Sequence, residues 1–216
     1  MVIRIAKNID LKEIEKKTWK STLEDGILDI YFGILVLSIG IGITLVDYLP
    51  EPFDSLLPIM LMIIGLILFL LGKRFITQPR LGKVKFGFKQ KSRKLKTVIV
   101  LSINAIILLI VYIMRLINPA LWSIFPVYIQ GLITGLLFIT VPLCFAAYFL
   151  QHPRLYLISI LVGLSFFLSD LFSIFIPEPF DALIAFGIIS SVIIFIGMIF
   201  LIKFIRKYPR PKEESS

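Results

Sequence analysis

The sequence consists of long apolar runs separated by short polar segments. A run of about 20 apolar residues matches the hydrocarbon thickness of a bilayer when it forms a helix. No polar segment is long enough to form a soluble domain of its own. The pattern therefore predicts an all-α fold, a six-helix transmembrane bundle that forms one membrane domain over residues 27–203. The predicted spans are about 27–48, 55–72, 97–117, 125–150, 155–176 and 182–203.

Composition supports the same class. Hydrophobic residues make up 58% of the 216 residues, whereas average globular proteins contain roughly 45–50%. The 19 Phe and 7 Tyr residues suit a lipid-facing surface with aromatic side chains at its edges. A water-soluble globular protein is therefore excluded, and we expect an integral membrane protein.

One acidic, proline-bounded phrase occurs twice between apolar runs: Leu49–Asp54 reads LPEPFD and Ile176–Asp181 reads IPEPFD. In the middle of the chain Pro126–Gln130, PVYIQ, occupies the corresponding place without the acids. The spacing predicts an internal repeat of three tandem helical hairpins. Each predicted hairpin ends in a Pro-Arg pair, at Pro79-Arg80, Pro153-Arg154 and Pro209-Arg210.

Charges are segregated between alternate loops. The loop 73–96 carries ten basic residues and no acidic residue. By the positive-inside rule, both termini are predicted to be cytoplasmic, and Ile- and Lys-rich composition favours the cell membrane of a prokaryote. The formal net charge of +9 is then explained by topology, so no nucleic-acid partner is predicted. The turns on the other side of the membrane carry Asp47, Glu51, Asp54, Glu178 and Asp181.

Both ends of the chain are polar. In residues 1–26, Leu11, Ile14 and Thr18 recur at helical spacing, which predicts a cytoplasmic amphipathic helix lying at the membrane interface. A solvated tail is the alternative. Residues 204–216 are predicted to form a basic cytoplasmic tail.

The outer acidic turns have two interpretations. Asp54 and Asp181 lie where a side chain caps the helix that follows. With Asp47, Glu51 and Glu178 they would also suit Ca²⁺ or Mg²⁺, provided that the hairpins brought these carboxylates together. Capping is the favoured interpretation, and neither a metal nor a cofactor is predicted.

Asp170 lies inside the fifth predicted span, where a carboxylate is costly and is expected to face the bundle with a partner. Arg115, near the outer end of span three, is the predicted partner in a structural ion pair. A proton- or cation-coupling role for Asp170 and simple snorkelling to the outer interface are the alternatives.

Further charges are predicted on the cytoplasmic side. Asp25 and Asp29 lie one helical turn apart and are expected either to pair with Arg74, Arg80 or Arg154 or to interact with the helix dipole. The basic residues predict a surface for anionic lipid headgroups, with each nearby base contributing about 1 kcal/mol. The candidates are Arg80, Arg154, Arg210, Lys83, Lys85 and Lys89.

No catalytic motif is visible in the sequence. His152 has no second His, Cys or metal-spaced acid near it along the chain, and Cys144 lies in an apolar run, where a buried inert thiol is expected. The chain is therefore predicted not to be an enzyme. Small residues four apart favour close helix packing and are compatible with a homo-oligomer or a membrane-protein partner. They are Ser38 and Gly42, Gly131 and Gly135, Ser165 and Ser169, and Gly187 and Ser191.

The segment Pro79–Phe86, PRLGKVKF, resembles a Tyr-Pro-Arg-x-Gly-Tyr-Val-Lys-Phe box of uncharacterised prokaryotic multi-pass membrane proteins, which follows a hydrophobic hairpin. The segment departs from the box at Gln78 and Lys83, where the box has Tyr. The resemblance covers one loop; it implies a small bacterial or archaeal multi-pass protein and no activity. The matching residues are Pro79, Arg80, Gly82, Val84, Lys85 and Phe86.

The sequence is compatible with two functions. A non-enzymatic membrane subunit or scaffold, which binds anionic lipid or a partner, is favoured because the central turns of most spans lack polar residues. A small transporter or channel-like carrier that uses Asp170 is the alternative. A carrier requires a polar, hydrated path at the membrane midplane, whereas a scaffold does not.

Overall fold

The protein is described by a computed structural model over residues 19, 21–45, 48–50, 52–82, 88–118 and 126–209. In these residues the chain forms six helices, each long and apolar enough to cross a membrane, and no β-strand. The all-α, six-helix prediction is therefore confirmed. The helices are α1 (Ile27–Leu45), α2 (Phe53–Gly72), α3 (Phe88–Ile117), α4 (which begins with Val127–Ile133), α5 (Pro153–Phe172) and α6 (Phe180–Lys207).

Two helices contain wider π-helical turns. α2 continues through a π turn at Lys73–Thr77 and ends with Gln78–Leu81. α4 continues through a π-helical segment at Thr134–Thr140 and ends with Val141–Leu150. Pro142 lies at the start of this last part, where the missing N–H of proline is tolerated because the π segment has already altered the hydrogen-bond ladder.

Helix ends differ from the predicted spans where charged residues extend a helix beyond its apolar part. α3 begins at Phe88 rather than near residue 97, and α6 continues to Lys207. Lys and Arg are good helix formers, so the polar segments that precede and follow the apolar runs join the helices. α5 instead ends early, at Phe172, where tighter turns follow the helix: Ile174 N donates to the carbonyl of Leu171 at 3.4 Å and Phe175 N to that of Phe172 at 2.9 Å.

The packing places the first and last helices next to each other. α1 packs most extensively on α6 and also on α2, α5 lies between α6 and α4, and α3 packs on the second half of α4. The helices therefore neighbour one another in the order α3, α4, α5, α6, α1, α2. The two members of each predicted hairpin do contact each other, but the grouping into three tandem hairpins remains a prediction.

The apolar core lies among four helices. Phe186 and Ile193 of α6 are completely buried, and Val36 of α1, Ala147 of α4 and Val162 of α5 are at most 5% exposed. Only 6% of the most apolar window of α2, and of α3, is buried. Their Leu- and Ile-rich surfaces therefore face outward, as expected for helices in contact with lipid.

Glycines spaced by seven residues bring α1 and α6 close together. An added Cβ at Gly40 would lie 2.5 Å from the Cβ of Phe186, and one at Gly26 would lie 2.8 Å from the backbone nitrogen of Leu201. Seven residues are about two helical turns, so Gly33 and Gly40 lie on one face of α1. Gly26, just before the helix, also lies against α6. Gly187, which sequence spacing had suggested as a packing residue, has no atom within 4 Å of an added Cβ.

The two acidic turns share one local conformation where α2 and α6 begin. Pro52 (φ −97°, ψ 12°) and Pro179 (φ −102°, ψ 13°) precede the helices and have no side-chain cap. The prediction that Asp54 and Asp181 are the capping residues is therefore wrong. Both aspartates lie in the first helical turn, where a negative charge still favours the helix dipole.

The helices begin before these aspartates because a backbone turn starts each one. Phe53 N donates to the carbonyl of Pro50 at 2.9 Å, and Phe180 N donates to that of Pro177 at 3.2 Å. The carboxylate of Asp54 accepts a hydrogen bond from Ser55 N at 2.7 Å. Asp181 is buried and Glu178 is exposed. Asp47 and Glu51 lie outside the described residues.

Candidate functional site

Two carboxylates are completely buried at the end of the bundle where α1 begins. Asp25 and Asp29 have 0% exposure. The ends of α2, α4 and α6 and the starts of α3 and α5 lie at this same end, which we call the basic end. Burying a charge is unfavourable unless it is paired and hydrogen-bonded. The partners of these two aspartates therefore define the chemistry of the site.

Asp25 is held by α2 and by the start of α1. Its Oδ2 accepts hydrogen bonds from Lys73 Nζ at 2.7 Å and from Thr77 Oγ1 at 2.5 Å. Its Oδ1 accepts the N–H of Ile27 at 3.2 Å, which caps the first turn of α1. Lys73 and Thr77 are the first and last residues of the π turn in α2, and this turn presents both side chains to one carboxylate.

Asp29 is held by the start of α5. Arg154 donates to Oδ2 of Asp29 at 2.6 Å, and Nε2 of His152 lies 3.3 Å from Oδ1. Arg154 also donates to the carbonyl of Leu23 at 2.8 Å, and its guanidinium lies 4.0 Å from the ring centroid of Phe200. Three helices therefore share this one arginine: α1 through Asp29, α5 through its own backbone and α6 through Phe200.

A tight connection between α4 and α5 places His152 and Arg154. Gln151 takes the left-handed conformation (φ 55°), and the N–H of His152 donates to the carbonyl of Ala147 at 3.1 Å. This pattern ends α4, and Pro153 then begins α5 at a position where its missing N–H is no loss. The His-Pro-Arg sequence therefore projects two side chains toward the start of α1.

The indole of Trp19 joins the basic end from the other side. Its Nε1 donates to the carbonyl of Leu150 at 3.0 Å, and Lys94 Nζ lies 5.2 Å from the ring centroid. Arg93 donates to Oε1 of Gln151 at 2.6 Å. These contacts attach the segment before α1 and the start of α3 to the end of α4.

We expect Trp19→Phe to lower the free energy of unfolding by about 1 kcal/mol, because the Leu150 carbonyl loses its donor while most of the ring packing is retained. Unfolding by SDS in mixed micelles, followed by circular dichroism, measures the difference. Tyr148→Phe on the exposed face of α4 is the control and should change stability by less than about 0.5 kcal/mol. Equal effects of the two substitutions would contradict the role assigned to Trp19.

The predicted pairing of the inner aspartates is confirmed for Arg154, which binds Asp29. Asp25 pairs with Lys73 instead of a predicted arginine, because Lys73 lies on the side of α2 that faces the start of α1. Arg80 donates to the carbonyl of Ile76 on its own helix at 2.8 Å. Lys83, Lys85 and Arg210 lie outside the described residues, as does the side chain of Lys89.

Asp170 lies at the contact of α4 and α5, far along α5 from the basic end. An added Cβ at Gly131 would collide with its carboxylate, and its backbone carbonyl accepts a hydrogen bond from Ser173 Oγ at 2.8 Å. The side chain of Arg115 lies outside the described residues, so the Asp170–Arg115 ion pair stays a prediction. Gly131 and Gly135 do pack closely on α5, as their spacing predicted.

Sequence reasoning missed His152, Lys73 and Thr77 as members of the site. The partner of His152 is 123 residues away in sequence, and that of Thr77 is 52 residues away. One signal was present: Asp29 and the His-Pro-Arg segment were both predicted at the cytoplasmic end. In the described part of the chain, no three His, Cys, Asp or Glu side chains could hold a metal ion.

Cavities lined by the described residues lie near the helix ends and the lipid-facing surface. The one at the basic end has a volume of about 390 Å³. A second, of about 450 Å³, includes the half-buried Cys144, and a third, of about 290 Å³, lies between α3 and α4 beside Asn104. The cavity at the basic end is lined by Glu24, His152, Pro153, Arg154, Phe200, Lys203, Phe204, Lys207 and Tyr208.

No protein-family model, curated protein or solved structure matches this chain. We therefore infer function from the geometry of the basic end and of the helix packing. The basic end combines fixed charges, a cavity and helix termini within one part of the bundle.

Proposed function

We propose that this integral membrane protein is a non-catalytic membrane subunit or scaffold whose basic end binds anionic lipid headgroups or a membrane partner. The uncharged centre of the bundle, in the part of the chain that the structure describes, is the main observation in support. Apolar side chains of α1, α5 and α6 meet there: Val36, Val162, Phe186, Ile189 and Ile193. The buried hydroxyls between them donate to carbonyls of their own helices and so line no polar path; they belong to Ser38, Ser159, Ser165 and Ser190. A bundle packed in this way is suited to hold its shape within lipid.

The distribution of charge supports the lipid component of the proposal. Lys91, Lys94 and Lys96 of α3 and Lys203, Arg206 and Lys207 of α6 add to Arg154 at the basic end. Anionic headgroups attract such clusters within a Debye length of the surface. With the positive-inside rule, this end faces the cytoplasm of a prokaryotic cell, and both termini lie on that side.

A small carrier that uses Asp170 is the second candidate function. Asp170 faces Gly131 within the apolar span, next to the π-helical segment of α4. Intramembrane carboxylates mark proton or ion pathways in many membrane proteins, and π turns often lie at functional sites. This candidate requires that Asp170 bind a proton or cation during a transport cycle.

Thermal unfolding separates the two candidates. For the wild type we expect phosphatidylglycerol, added to detergent micelles, to raise the unfolding midpoint, while phosphatidylcholine and changes of Na⁺, K⁺ or Ca²⁺ have no comparable effect. A ligand present at 100 times its Kd stabilises the folded state by about 2.7 kcal/mol, which gives a readily measured shift.

For Asp170→Asn we expect a uniformly lower midpoint that phosphatidylglycerol raises by the same amount as in the wild type. Glu178→Gln, a carboxylate-to-amide change at an exposed position of an outer turn, is the control and should leave the midpoint nearly unchanged. A cation- or pH-dependent shift present in the wild type and lost in Asp170→Asn would favour the carrier. The absence of any preference for anionic lipid would contradict the lipid-binding proposal.

A further inference from the structure

The cavity at the basic end has the composition of a site for a phosphate-bearing lipid. Its walls combine cationic side chains with the apolar faces of Phe200, Phe204 and Pro153. Its volume of about 390 Å³ lies within the range of about 300–1,000 Å³ found for small-molecule sites. A headgroup with the first part of its acyl chains presents the same combination of anionic and apolar surface.

Arg154 is already fixed in the conformation that it needs at this cavity. Asp29, the Leu23 carbonyl and the Phe200 ring hold its guanidinium from three directions, and its side chain is only 16% exposed. A cation held in this way loses little conformational entropy when an anion binds. The Asp29–Arg154 pair therefore orients the guanidinium for an anion in the cavity, in addition to joining α1 and α5.

Arg154 is paired with Asp29, and Lys203 and Lys207 place two further positive charges at the cavity. They lie four residues apart on α6, so they are neighbours on one face, where two like charges repel each other. In the described part of the chain neither forms an ion pair. Each ammonium lies near an aromatic ring, Lys203 at 5.6 Å from the centroid of Phe200 and Lys207 at 5.3 Å from that of Tyr208. An anion in the cavity would relieve their repulsion.

The depth of the cavity matches that of lipid phosphates. It lies beside the last two turns of α6 and the first turn of α5, where the apolar spans end. The hydroxyl of Tyr208 lies 3.4 Å from Ser21 Oγ, which places a polar group at the cavity rim. The start of α5 also has no side-chain cap, so its backbone dipole adds to the attraction for an anion.

We infer that this cavity is a specific site for one phosphate-bearing anionic lipid, whose phosphate lies between Arg154, Lys203 and Lys207. The inference rests on the proposed function and narrows general attraction for anionic lipid to a single site. Glu24, which also lines the cavity, opposes the anion and lowers its affinity. Phe200 and Phe204 contact the glycerol and the first acyl carbons.

Native mass spectrometry of the full chain, with phosphatidylglycerol titrated into detergent micelles, tests the inference. We expect one tightly bound lipid in the wild type. The double variant Lys203→Gln/Lys207→Gln should weaken its binding on the order of 100-fold, since a direct hydrogen bond to a charged group contributes roughly a tenfold factor. The ligand-free midpoint should change little, because both lysines are exposed and the relief of their mutual repulsion offsets the loss of their weak ring contacts.

Lys91→Gln/Lys96→Gln on α3 is the matched control: it removes the same charge from the same end of the bundle and should leave the tight site intact. Glu24→Gln should bind the lipid more tightly than the wild type, a result that loss of folding cannot produce. Equal, modest weakening in both double variants would overturn the specific site and leave the proposed function standing. No preference for anionic over zwitterionic lipid in the wild type would overturn both.

A further arm distinguishes the source of the phosphate. We expect inorganic phosphate and glycerol 3-phosphate, at concentrations matched to the lipid, to displace less than a tenth of the bound phosphatidylglycerol. Equal displacement by a soluble phosphate would show that the site recognises the phosphate alone and would overturn its assignment to a lipid.

Discussion

Replacing Asp29 by Asn should lower the free energy of unfolding by about 3–5 kcal/mol, the range observed when one partner of a buried ion pair is removed. The amide has almost the same volume as the carboxylate, so the loss is electrostatic and does not come from a cavity. Arg154 would keep its positive charge beside a neutral group, and the contact with His152 would change as well. Unfolding by SDS in mixed micelles measures the change.

Two companion experiments identify the cause of that loss. Arg154→Gln should be strongly destabilising alone, whereas adding it to Asp29→Asn should cost much less than it does in the wild type, because the pair is already broken. Glu178→Gln makes the same carboxylate-to-amide change at an exposed outer position and should alter stability by less than about 0.5 kcal/mol. Additive effects of the Asp29 and Arg154 substitutions would contradict the pairing.

Gly26→Ala should be destabilising by about 2–5 kcal/mol for two separate reasons. Gly26 has φ of 77°, a conformation that costs about 1–2 kcal/mol for residues with a Cβ. The new methyl group would also collide with the backbone of α6 at Gly197 and Leu201, and such overpacking costs about 1–3 kcal/mol. Because the obstructing atoms are backbone, a change of rotamer cannot relieve the collision.

Two other glycines separate these causes. Gly82 has φ of 79° and ψ of 169°, a region almost exclusive to glycine, but no atom within 4 Å of an added Cβ, so Gly82→Ala should show a backbone cost without any collision. Gly187 lies in α6 with open space around it, and Gly187→Ala should be neutral or stabilise by up to about 1 kcal/mol through helix propensity. If Gly26→Ala cost no more than the ~2 kcal/mol expected from its backbone conformation alone, close packing of the start of α1 on α6 would be refuted. The measurement is unfolding in micelles for all three variants.

The six spans were predictable because span length depends on local hydrophobicity, which the sequence displays directly. The contact between α1 and α6 was not predictable. The seven-residue glycine spacing indicates a face of α1 without side chains, but it does not indicate which helix packs against that face. The partner of Asp25 was unpredictable for a similar reason. The loop 73–96 contains ten basic residues, and the π turn at Lys73–Thr77 is what places Lys73 beside Asp25.

Prediction of the outer turns failed for a different reason. Asp54 and Asp181 have the right residue type for caps, but a backbone hydrogen bond to Pro50 or Pro177 begins each helix two residues earlier than such a cap would. Pro52 and Pro179 then occupy the cap position. Turn geometry therefore took precedence over side-chain preference. The pairing of Asp29 with Arg154 was more predictable, because the short connection between α4 and α5 places Arg154 at the same end of the bundle as Asp29.

The adjacency of the first and last helices has a consequence for biosynthesis. Arg154 follows Asp29 by 125 residues, so at about 5–20 residues per second a ribosome makes the arginine about 6–25 s after the aspartate. The helix that covers the glycine face of α1, α6, is synthesised later still. During that interval the carboxylate of Asp29 has not yet met Arg154, and the glycine face of α1 has no helix packed against it. An insertase or chaperone that shields nascent helices would therefore act on α1 for most of the time that the chain is being made.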